Sequence, residues 1–493
     1  MNSGQIVTAV LEEGSPLGST LDFVVDANAP RGGMKHTFFT PDRKYAVQFF
    51  NDPRDGHNPN IQDRIRTIVS IYNPTLSEQA GGAPGNTEKT AEYFRSRFCW
   101  PVAIVSQPEF GIVCPTYPQK FFFGGNASTN GLNLKGKDKK SNWFTGRLRK
   151  YIAPEEKGDF RTMLGAAICL SRSIRRMHQA GLAHSDLSCN NVLIDPKSGS
   201  TVVIDIDSLV VPGKYPPEVC GTSGYIAPEV LATLEYDYND PRRCLPCVST
   251  DLHALPVLIY EYLFLRHPLK GPKIHSAASA EEDDYLAMGP EALFIENPND
   301  RSNRPPDLNV TIQSLSKGLE QLFLRAFVDG LHDPSQRPTA MEWERELLRA
   351  WDRLVKCGNP GCEKKWFILR DESAPVCPFC GTRLRDRVIR LGFKSMMRGR
   401  NGVYRDNGAY DGMPLYDWHV SSAVHNDEKA GTDMRAYICR HNGMWLLVNN
   451  GVEGMTSPSG RLVPKGQAVE LRDGAVFRMT DRDDGLLCEV SVY

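Results

Sequence analysis

The sequence predicts an α+β protein built from four consecutive segments, and three observations support this fold class. Short apolar runs broken by Gly, Pro and Asn fill the first 125 or so residues. Helical periodicity dominates from Asp159 to about Trp351. A cluster of four cysteines follows, and short apolar runs separated by Gly turns return after about residue 391.

The composition is that of a globular protein and excludes some classes of partner. A chain of 493 residues exceeds one hydrophobic core, so about two to four domains are expected. The 58 basic and 59 acidic residues leave a net charge of −1, which gives no field suited to nucleic acid or an anionic membrane. Because no apolar run is long enough to span a membrane and no signal peptide is recognisable, we expect a cytoplasmic protein.

The first two segments contain clear candidates for strands and helices. The first segment has one helix candidate, IQDRIRTIVSIY, and the strand candidates LDFVVD, KHTFF, KYAVQFF, CWPVAIV and FGIVCPTY. A basic stretch, KGKDKKSNWFTGRLRK, follows and is interpreted as a solvated surface turn. The helix candidates of the second segment are FRTMLGAAICLSRSIRRMHQAG, DLHALPVLIYEYLFL, LEQLFLRAFVDG and AMEWERELLRAWDRLV.

The stretch HSDLSCNNVLID carries the first candidate chemistry. It places Asp186 and Asn191 on a loop before a short strand, and TVVIDIDSLVV then delivers Asp205 at a strand end. Phosphoryl transfer from ATP uses such a set, because one carboxylate positions the attacking hydroxyl while an amide oxygen and a second carboxylate hold Mg²⁺. An isolated Asp-x4-Asn loop is more often a turn with self-bonding side chains, so the surrounding motifs decide.

Five motifs, in order, resemble those of the protein kinase catalytic lobe. They are His184-Ser185-Asp186 with Asn191 for the catalytic loop, Asp205-Ile206-Asp207 for Asp-Phe-Gly, Ala227-Pro228-Glu229 at the end of the activation segment, Asp251 in TDLHAL for the anchoring helix, and Arg337 in DPSQRPTA. Each match is weak alone, but the ordered set is difficult to obtain by chance. The resemblance implies a bilobal kinase-like fold over residues 1–352, with lobes of about 1–115 and 116–352.

The resemblance also assigns roles to individual residues. Asp186 would be the catalytic base, and Asn191 and Asp205 would bind Mg²⁺. Further positions follow in the same way: ATP contacts at Pro115 and Thr116, a buried ion pair between Glu229 and Arg337, an acidic anchor at Asp251, and autophosphorylation at Thr222 or Ser223. The implied cofactors are ATP and Mg²⁺.

The strand-three lysine of the kinase pattern is missing. Gln48 stands at that position in YAVQ, and a neutral amide cannot neutralise phosphate charge. Upstream, the Gly32-Gly33 pair would let backbone N–H groups approach phosphate, and Lys35 begins the next strand. This placement resembles the with-no-lysine kinases, so Lys35 is the candidate substitute, against the alternative of a solvated surface lysine. Asp63 is the nearest candidate for its acidic partner.

Two further departures concern the catalytic and activation loops. Ser188 stands where serine/threonine kinases carry a lysine, and Asp207 replaces the glycine of Asp-Phe-Gly. Asp207 could join the metal ligands or cap a turn, and we favour the cap.

A set of longer stretches points to one bacterial subgroup. The stretches HSDLS, IDIDSLVVPGKYPP, TDLHAL, RHPLKGPK and ALFIENPNDRSNRP resemble kinases associated with tellurite-resistance and stress gene clusters. In that subgroup the kinase accompanies a PP2C-type phosphatase and a von Willebrand A-domain protein. These two, besides a protein substrate, are the partners that the analogy implies.

The cysteine cluster predicts a structural zinc ribbon over residues 353–390. Its spacing is C-x4-C-x14-C-x2-C, formed by Cys357, Cys362, Cys377 and Cys380. Four thiolates on tight turns can hold one tetrahedral ion and leave no open position for catalysis. A second pair, Cys244 and Cys247, has no partner pair in sequence, and we expect two buried thiols there.

The last segment, residues 391–493, resembles a forkhead-associated β-sandwich. RAYICRHNGMWLLVNNGVEGM and GQAVELRDGAVFRM carry its strand-and-turn pattern, with Asn450-Gly451 as a candidate late turn. The Arg and Ser-x-x-His elements that bind phosphothreonine in that family have no clear match in LYDWHVSS or MRAY. A degenerate docking domain and a generic antiparallel sandwich both fit these observations.

Together these features predict an atypical ATP-dependent protein serine/threonine kinase. The main alternative is a pseudokinase scaffold, which the missing lysine favours and the intact Asp186, Asn191 and Asp205 oppose. A small-molecule kinase of similar fold is disfavoured by the Ala-Pro-Glu segment and Arg337.

Overall fold

The computed structural model of the chain describes residues 3–125, 127–129, 131–211, 221–396, 403–427 and 430–493. The chain divides into two compact units. The first comprises Met1–Gly158, Gly165–Leu308 and Leu322–Glu344, and the second comprises Asp159–Leu164, Asn309–Gln321 and Arg345–Tyr493. The expected domain boundaries near residues 352 and 390 remain predictions.

The first unit begins with an antiparallel sheet that closes into a barrel, in the strand order β1-β2-β3-β4-β6-β5. The strands are β1 (Ile6–Leu11), β2 (Thr20–Val24), β3 (Lys35–Phe39), β4 (Tyr45–Phe50), β5 (Ala103–Gln107) and β6 (Gly111–Pro115). The barrel interior is apolar and includes Phe23, Val47 and Val113. Strand β1, absent from the sequence-based expectation, closes the barrel by pairing with both β2 and β5.

A short helical region follows β4 and packs on the outside of the barrel. Its helices are α1 (Pro53–Gly56), α2 (Pro59–Val69) and α3 (Glu88–Arg95). Helix α2 begins where the Asn58 side chain accepts a hydrogen bond from the backbone N–H of Asn60, with Pro59 in the first turn. Its apolar face, including Ile61 and Ile65, shares a core with Phe50 and Ile112 of the barrel.

The helical part of the first unit surrounds a buried central helix. Its elements, some of which continue into the second unit, are α4 (Phe160–Gln179), β7 (Val192–Asp195), β8 (Ser200–Val203), α5 (Pro228–Leu231), α6 (Val248–Phe264), α7 (Ala280–Met288), α8 (Lys317–Leu324) and α9 (Ala340–Asp352). Helix α6 is apolar on all sides and nearly every residue from Thr250 to Leu263 is buried, as expected for a helix inside a core. Among the described residues, no helix has the length and apolar character needed to cross a membrane.

The predicted helices of this region are present, but two of them end differently from the prediction. The stretch LEQLFLRAFVDG leaves α-helical geometry after Leu324 and continues as a π-helical turn over Arg325–Asp329. The last predicted helix ends at Asp352, and its remaining residues contribute to strand β9 (Leu354–Lys356).

In the second unit, β9 pairs with β10 (Trp366–Ile368) in the segment that carries the four clustered cysteines. A small core forms there from Val355, Phe367, Leu369 and Val388 together with buried cysteine side chains. With few apolar residues available, such a segment depends on additional cross-links for stability.

The rest of the second unit contains two antiparallel sheets, in the orders β12-β11-β18-β17 and β13-β14-β15-β16. The strands are β11 (Ile389–Ser395), β12 (Val403–Gly408), β13 (Met413–Leu415), β14 (Ala436–His441), β15 (Met444–Asn449), β16 (Ala468–Glu470), β17 (Val476–Arg478) and β18 (Leu486–Val492). Residues of both sheets, such as Leu391 and Ile438, contribute to one core. Between β14 and β15, Asn442 and Gly443 have φ values of 49° and 79°, which is the tight hairpin turn that Asn-Gly favours.

Candidate active site

The loop before β7 is tied to the central helix by a histidine and an aspartate. The backbone N–H of His184 donates to Oδ2 of Asp251 over 2.8 Å, and Asp251 lies almost fully buried in the first turn of α6. Nε2 of His184 lies 2.9 Å from the carbonyl oxygen of Ile204. Ser185 adopts a φ of 65°, a conformation that non-glycine residues rarely keep without support from their surroundings. The loop is therefore held rigidly where it presents Asp186.

Both carboxylate oxygens of Asp186 accept hydrogen bonds. Asn191 donates from Nδ2 to Oδ2 over 2.9 Å and to the carbonyl oxygen of Asp186 over 2.8 Å. Thr222 donates from its hydroxyl to Oδ1 over 2.7 Å. Because Nδ2 of Asn191 faces Asp186, its amide oxygen faces the other way. A small cleft opens beside Asp186, with Gly221 and Tyr225 in its wall.

Asp205 stands at a strained corner after β8. Its φ is 64°, and Oγ of Ser208 donates to its carbonyl oxygen over 3.0 Å, closing the turn Ile206–Ser208. Desolvation by the surrounding protein, followed by the negative charges of Asp207 and Asp186, raises the pKa of Asp205, while Lys35 and His184 act in the opposite direction. A bound cation would stabilise the ionised carboxylate here, so the position suits a metal ligand.

Lys35 is the first residue of β3 and points into the protein. It pairs with Phe50 of β4 in the barrel register, and its ammonium forms an ion pair with Asp207. Only 10% of the Lys35 side chain and 8% of the Asp207 side chain are exposed, which rules out the solvated-lysine alternative. Burial alone lowers the pKa of Lys35, but the carboxylates of Asp207 and Asp205 outweigh it, so the net pKa is raised.

Two expectations about acidic residues are wrong. Asp207 was expected to cap a turn, but its buried carboxylate binds Lys35 instead. Asp63 was the candidate partner of Lys35, but it is exposed on α2. Lys35 and Asp207 are 172 positions apart, so no local sequence pattern could reveal their contact.

Gln48, at the position of the missing lysine, makes neutral contacts with the neighbouring strands β3 and β6. It lies opposite Thr37 in the strand register and donates from Nε2 to the Thr37 hydroxyl over 3.3 Å. Sγ of Cys114 lies 3.9 Å from its Oε1. The side chain therefore supplies no positive charge.

The Gly32-Gly33 turn differs in one respect from the expectation. The Gly32 N–H was expected to face phosphate, but it donates to the carbonyl oxygen of Lys35 over 2.8 Å. Asn51 donates from Nδ2 to the carbonyl oxygens of Gly32 and Gly33 over 3.0 and 3.2 Å. Neither glycine has a positive φ, and a Cβ on either one would meet no closer atom than 3.6 Å. The turn is therefore stabilised by its own hydrogen bonds.

Pro115 and Thr116 lie at the end of β6, where the chain leaves the barrel. The Thr116 N–H donates to the carbonyl oxygen of Lys44 over 2.8 Å, so it already has a partner. The Thr116 hydroxyl is buried and has no hydrogen-bond partner among the described residues. A buried unpaired hydroxyl is costly, and a polar ligand could satisfy it. The position is thus compatible with a nucleotide-binding role.

The expected pair of Glu229 and Arg337 lies at the end of the activation segment. Arg337 donates from Nη1 and Nη2 to the two carboxylate oxygens of Glu229 over 2.8 and 2.7 Å. It also donates to the carbonyl oxygens of Ser249 and Gly330 over 2.9 and 2.8 Å. These bonds fix the start of α5 and α6 relative to the loop that carries Arg337.

The two candidate phosphorylation sites have different surroundings. The Thr222 hydroxyl is half-buried and bonds both Asp186 and Ser188. Ser223 is exposed, and its hydroxyl donates to Oδ2 of Asp284 over 3.3 Å. Ser188 therefore supports the Thr222 contact in the place of the usual lysine.

The four clustered cysteines converge on one point. The Sγ atoms of Cys357, Cys362, Cys377 and Cys380 all lie within 4.8 Å of one another. Cys357 and Cys380 are 3.5 Å apart, and Cys362 and Cys377 are 4.0 Å apart. Tetrahedral zinc with bonds of about 2.3 Å places its sulfur ligands about 3.8 Å apart, so the donor set fits this ion.

Two other sequence-based candidates have local structural roles. Cys244 and Cys247 are half-buried rather than buried, and Sγ of Cys247, at the start of α6, lies 3.2 Å from the Ser249 hydroxyl. Asn450 donates from Nδ2 to the carbonyl oxygen of Met434 over 2.7 Å, which holds the late turn against the segment before β14.

Comparison with known proteins finds similarity to protein kinases. Residues 144–346 match the family described as "Protein kinase domain". The atypical protein kinase C of Drosophila melanogaster is 31% identical over 141 residues, covering 28% of this chain and 21% of that protein. The serine/threonine-protein kinase PknD of Chlamydia abortus is 29% identical over 212 residues, covering 37% of this chain and 21% of that protein. Residues 144–346 therefore match the protein kinase domain family.

These matches are partial in extent. The chain spans about a fifth of the length of these curated relatives. The family match includes Asp186, Asn191 and Asp205, whereas Lys35 lies outside it. Among solved structures, the kinase domain of a rhoptry antigen from Toxoplasma gondii is similar, with a TM-score of 0.41, 16% identity, and coverage of 71% of this chain and 87% of that chain.

Proposed function

We propose that this chain is an ATP-dependent protein serine/threonine kinase that transfers the γ-phosphate to a protein hydroxyl, with Lys35 in place of the strand-three lysine. One observation carries the proposal: three separate segments of the chain come together in one site. They supply Lys35, Asp186 with Asn191, and Asp205. Phosphoryl transfer depends mostly on positioning and on charge stabilisation, which such a set supplies.

In this proposal Asp186 orients the substrate hydroxyl and accepts its proton. Its Oδ1 already accepts a hydrogen bond from the Thr222 hydroxyl, which supports this role. Asn191 holds the other carboxylate oxygen, so the base keeps a fixed direction.

Asn191 and Asp205 would hold Mg²⁺. When bound, Mg²⁺ neutralises charge on the phosphate oxygens. The amide oxygen of Asn191 faces away from Asp186, and Asp205 is a carboxylate next to further negative charge. Both groups are hard oxygen donors of the kind that Mg²⁺ prefers.

Lys35 would contact the phosphates from β3. It is a cation buried in the ion pair with Asp207, whereas Gln48 is neutral and bonded to Thr37 of the neighbouring strand. A preorganised cation at this point stabilises the negative charge that develops during transfer.

The C-terminal modules complete the proposal. Zinc held by the four clustered cysteines would be structural, because four thiolates leave no open position. We also propose a degenerate forkhead-associated-like docking domain and a cytoplasmic kinase of the tellurite-resistance-associated type. Its partners would be a von Willebrand A-domain protein and a PP2C-type phosphatase, by analogy alone.

The second candidate function is a pseudokinase scaffold. The observation that favours it is the ion pair between Lys35 and Asp207, since Lys35 must share or leave this partner to reach phosphate. Such a protein would bind nucleotide or partners without transfer.

A γ-phosphate transfer assay separates the two functions. The full-length protein with radiolabelled Mg²⁺–ATP and a generic serine- and threonine-rich protein should transfer phosphate, and Asp186→Asn should abolish most of it. The matched control is Asp307→Asn, at a carboxylate that is 77% exposed. Binding of Mg²⁺–ATP without transfer by the wild type would replace the kinase proposal with the scaffold.

A further inference from the structure

The acid bonded to Lys35 comes from the segment after Asp205. Asp207 follows Asp205 by two residues, on the turn Ile206–Ser208, and it is buried. Its carboxylate accepts the hydrogen bond from Nζ of Lys35. The negative charges of Asp207 and Asp205 both attract the Lys35 ammonium. One turn therefore supplies both the proposed metal ligand and the partner of the lysine.

Helix α2 supports this turn but provides a different kind of polar residue. Its buried face carries Arg64 among isoleucines, while Asp63 is exposed. The helix packs against the turn Ile206–Ser208. Its position can therefore influence Lys35 through the turn that carries Asp207.

Two neighbouring carboxylates attract the same ammonium group. If Asp207 lost its charge, Asp205 would be the remaining carboxylate in the attraction of Lys35. A lysine drawn to Asp205 would compete there with Mg²⁺, because both cations need the same oxygens. Both the lysine and the metal ion would then be displaced from the phosphates.

We infer that Asp207 is a positioning residue that holds Lys35 in the site and away from Asp205, so that Asp205 stays available for Mg²⁺ and Lys35 stays available for phosphate. This rests on the proposed function of the site. Asp207 then orients Lys35, the role expected of Asp63 on the helix. An acidic residue at position 207 is in that case required for Mg²⁺-dependent nucleotide binding.

The test is a double-mutant cycle on Mg²⁺-dependent nucleotide binding by the full-length protein. A fluorescent ATP analogue is titrated with Mg²⁺ in the wild type, Asp207→Asn, Lys35→Met and the double variant. Asp207→Asn should raise the half-maximal Mg²⁺ concentration by about 10-fold to 100-fold, as loss of a residue that orients metal ligands does. The same change on the Lys35→Met background should have little effect, because the competing ammonium is gone.

Two further variants make the cycle decisive. Asp207→Glu should restore most of the wild-type Mg²⁺ dependence, a reading that does not need the Lys35 variant. Asp63→Asn, at the exposed position on α2, is the matched control and should change nothing. Melting temperatures identify a variant that is unfolded, and Asp207→Gly, the residue usual in kinases, then takes the place of Asp207→Asn.

The contradicting results are distinct. An undiminished effect of Asp207→Asn on the Lys35→Met background would mean that Asp207 binds the metal itself. No effect in either background would mean that the ion pair has no positioning role. Phosphate transfer is measured on the same samples. If the four proteins show the expected changes in Mg²⁺ dependence but the wild type transfers no phosphate, only the kinase proposal is refuted. A wild type that binds no Mg²⁺–ATP refutes both.

Discussion

Thr222 and Asp186, 36 positions apart, are joined by a hydrogen bond of 2.7 Å from the threonine hydroxyl to Oδ1 of the carboxylate. The bond connects the end of the activation segment to the proposed base. It orients Asp186 from the side opposite to Asn191, and it places a hydroxyl where a substrate hydroxyl would have to donate. The position of the segment that carries Thr222 therefore affects the orientation of Asp186.

This contact separates the two autophosphorylation candidates. Phosphate on Thr222 would place a charge of about −2 against the half-buried Asp186. Ser223 and the Asp284 carboxylate beside it are exposed, so solvent screens the repulsion there. We therefore expect phosphate on Ser223 in active enzyme, and phosphopeptide mapping after incubation with Mg²⁺–ATP measures it. Inactive Asp186→Asn protein is the control. Active enzyme with this segment unmodified would contradict the prediction.

The ion pair of Arg337 and Glu229 should contribute strongly to stability. The Arg337 side chain is fully buried, so Glu229→Gln leaves its charge without an ionic partner. Removing one member of such a pair typically costs about 3–5 kcal/mol of unfolding free energy, which urea titration measures.

The matched control for this pair is Arg266→Met. Nη1 of Arg266 lies 3.6 Å from Oδ1 of Asp307; the Arg266 side chain is 33% exposed and that of Asp307 is 77% exposed, so solvent reaches this pair. Exposed pairs contribute about 0–1 kcal/mol, so the control should be nearly neutral. Equal losses of unfolding free energy in both variants would show that burial of the Glu229–Arg337 pair does not increase its contribution to stability.

Glu261 should make stability depend on pH. Burial raises its pKa to about 7 from 4.5, although the Tyr225 hydroxyl donates to it over 2.6 Å and lowers the pKa. A raised folded-state pKa means that the contribution is fully present below about pH 4.5 and is lost as the pH rises through about 7. Glu261→Gln should therefore flatten the change in melting temperature between these values. A variant with the wild-type slope would contradict this assignment.

The cysteine cluster should bind one zinc ion tightly. Its sulfur atoms are already arranged for tetrahedral coordination, so metal analysis of freshly purified protein should find one zinc per chain. Chelation, or Cys377→Ser, should increase hydrogen exchange over residues 357–380 while the kinase lobes remain folded. Cys439→Ser, at a half-buried thiol outside the cluster, is the control. Protein purified without zinc would refute the prediction.

Local patterns account for much of what the sequence predicted. The isoleucine spacing of α2, the Asn-Gly turn before β15 and the Asp186-x4-Asn191 loop all depend on residues close together in the chain. Strand β1 was missed although its sequence, IVTAVL, is a mostly apolar run, and half of its side chains are exposed.

Contacts between distant segments left no such pattern. Lys35 could be proposed as the displaced lysine from its place before a strand, but its partner Asp207 could not, because folding alone brings them together. The same holds for the bond between Thr222 and Asp186. In the sequence, Asp207 stands where the kinase pattern has glycine. Only its burial beside Lys35 in the folded chain indicates a role.

The central claim is that Lys35 supplies the catalytic cation, and the measurement that tests it most directly is the phosphotransfer rate of Lys35→Met. Removing one preorganised cation typically lowers the rate by about 10²–10³, so this variant should lose most activity while its melting temperature shows that it is folded. Lys44→Met, at a lysine whose side chain is 75% exposed, should keep the wild-type rate. Full activity in folded Lys35→Met would contradict the account.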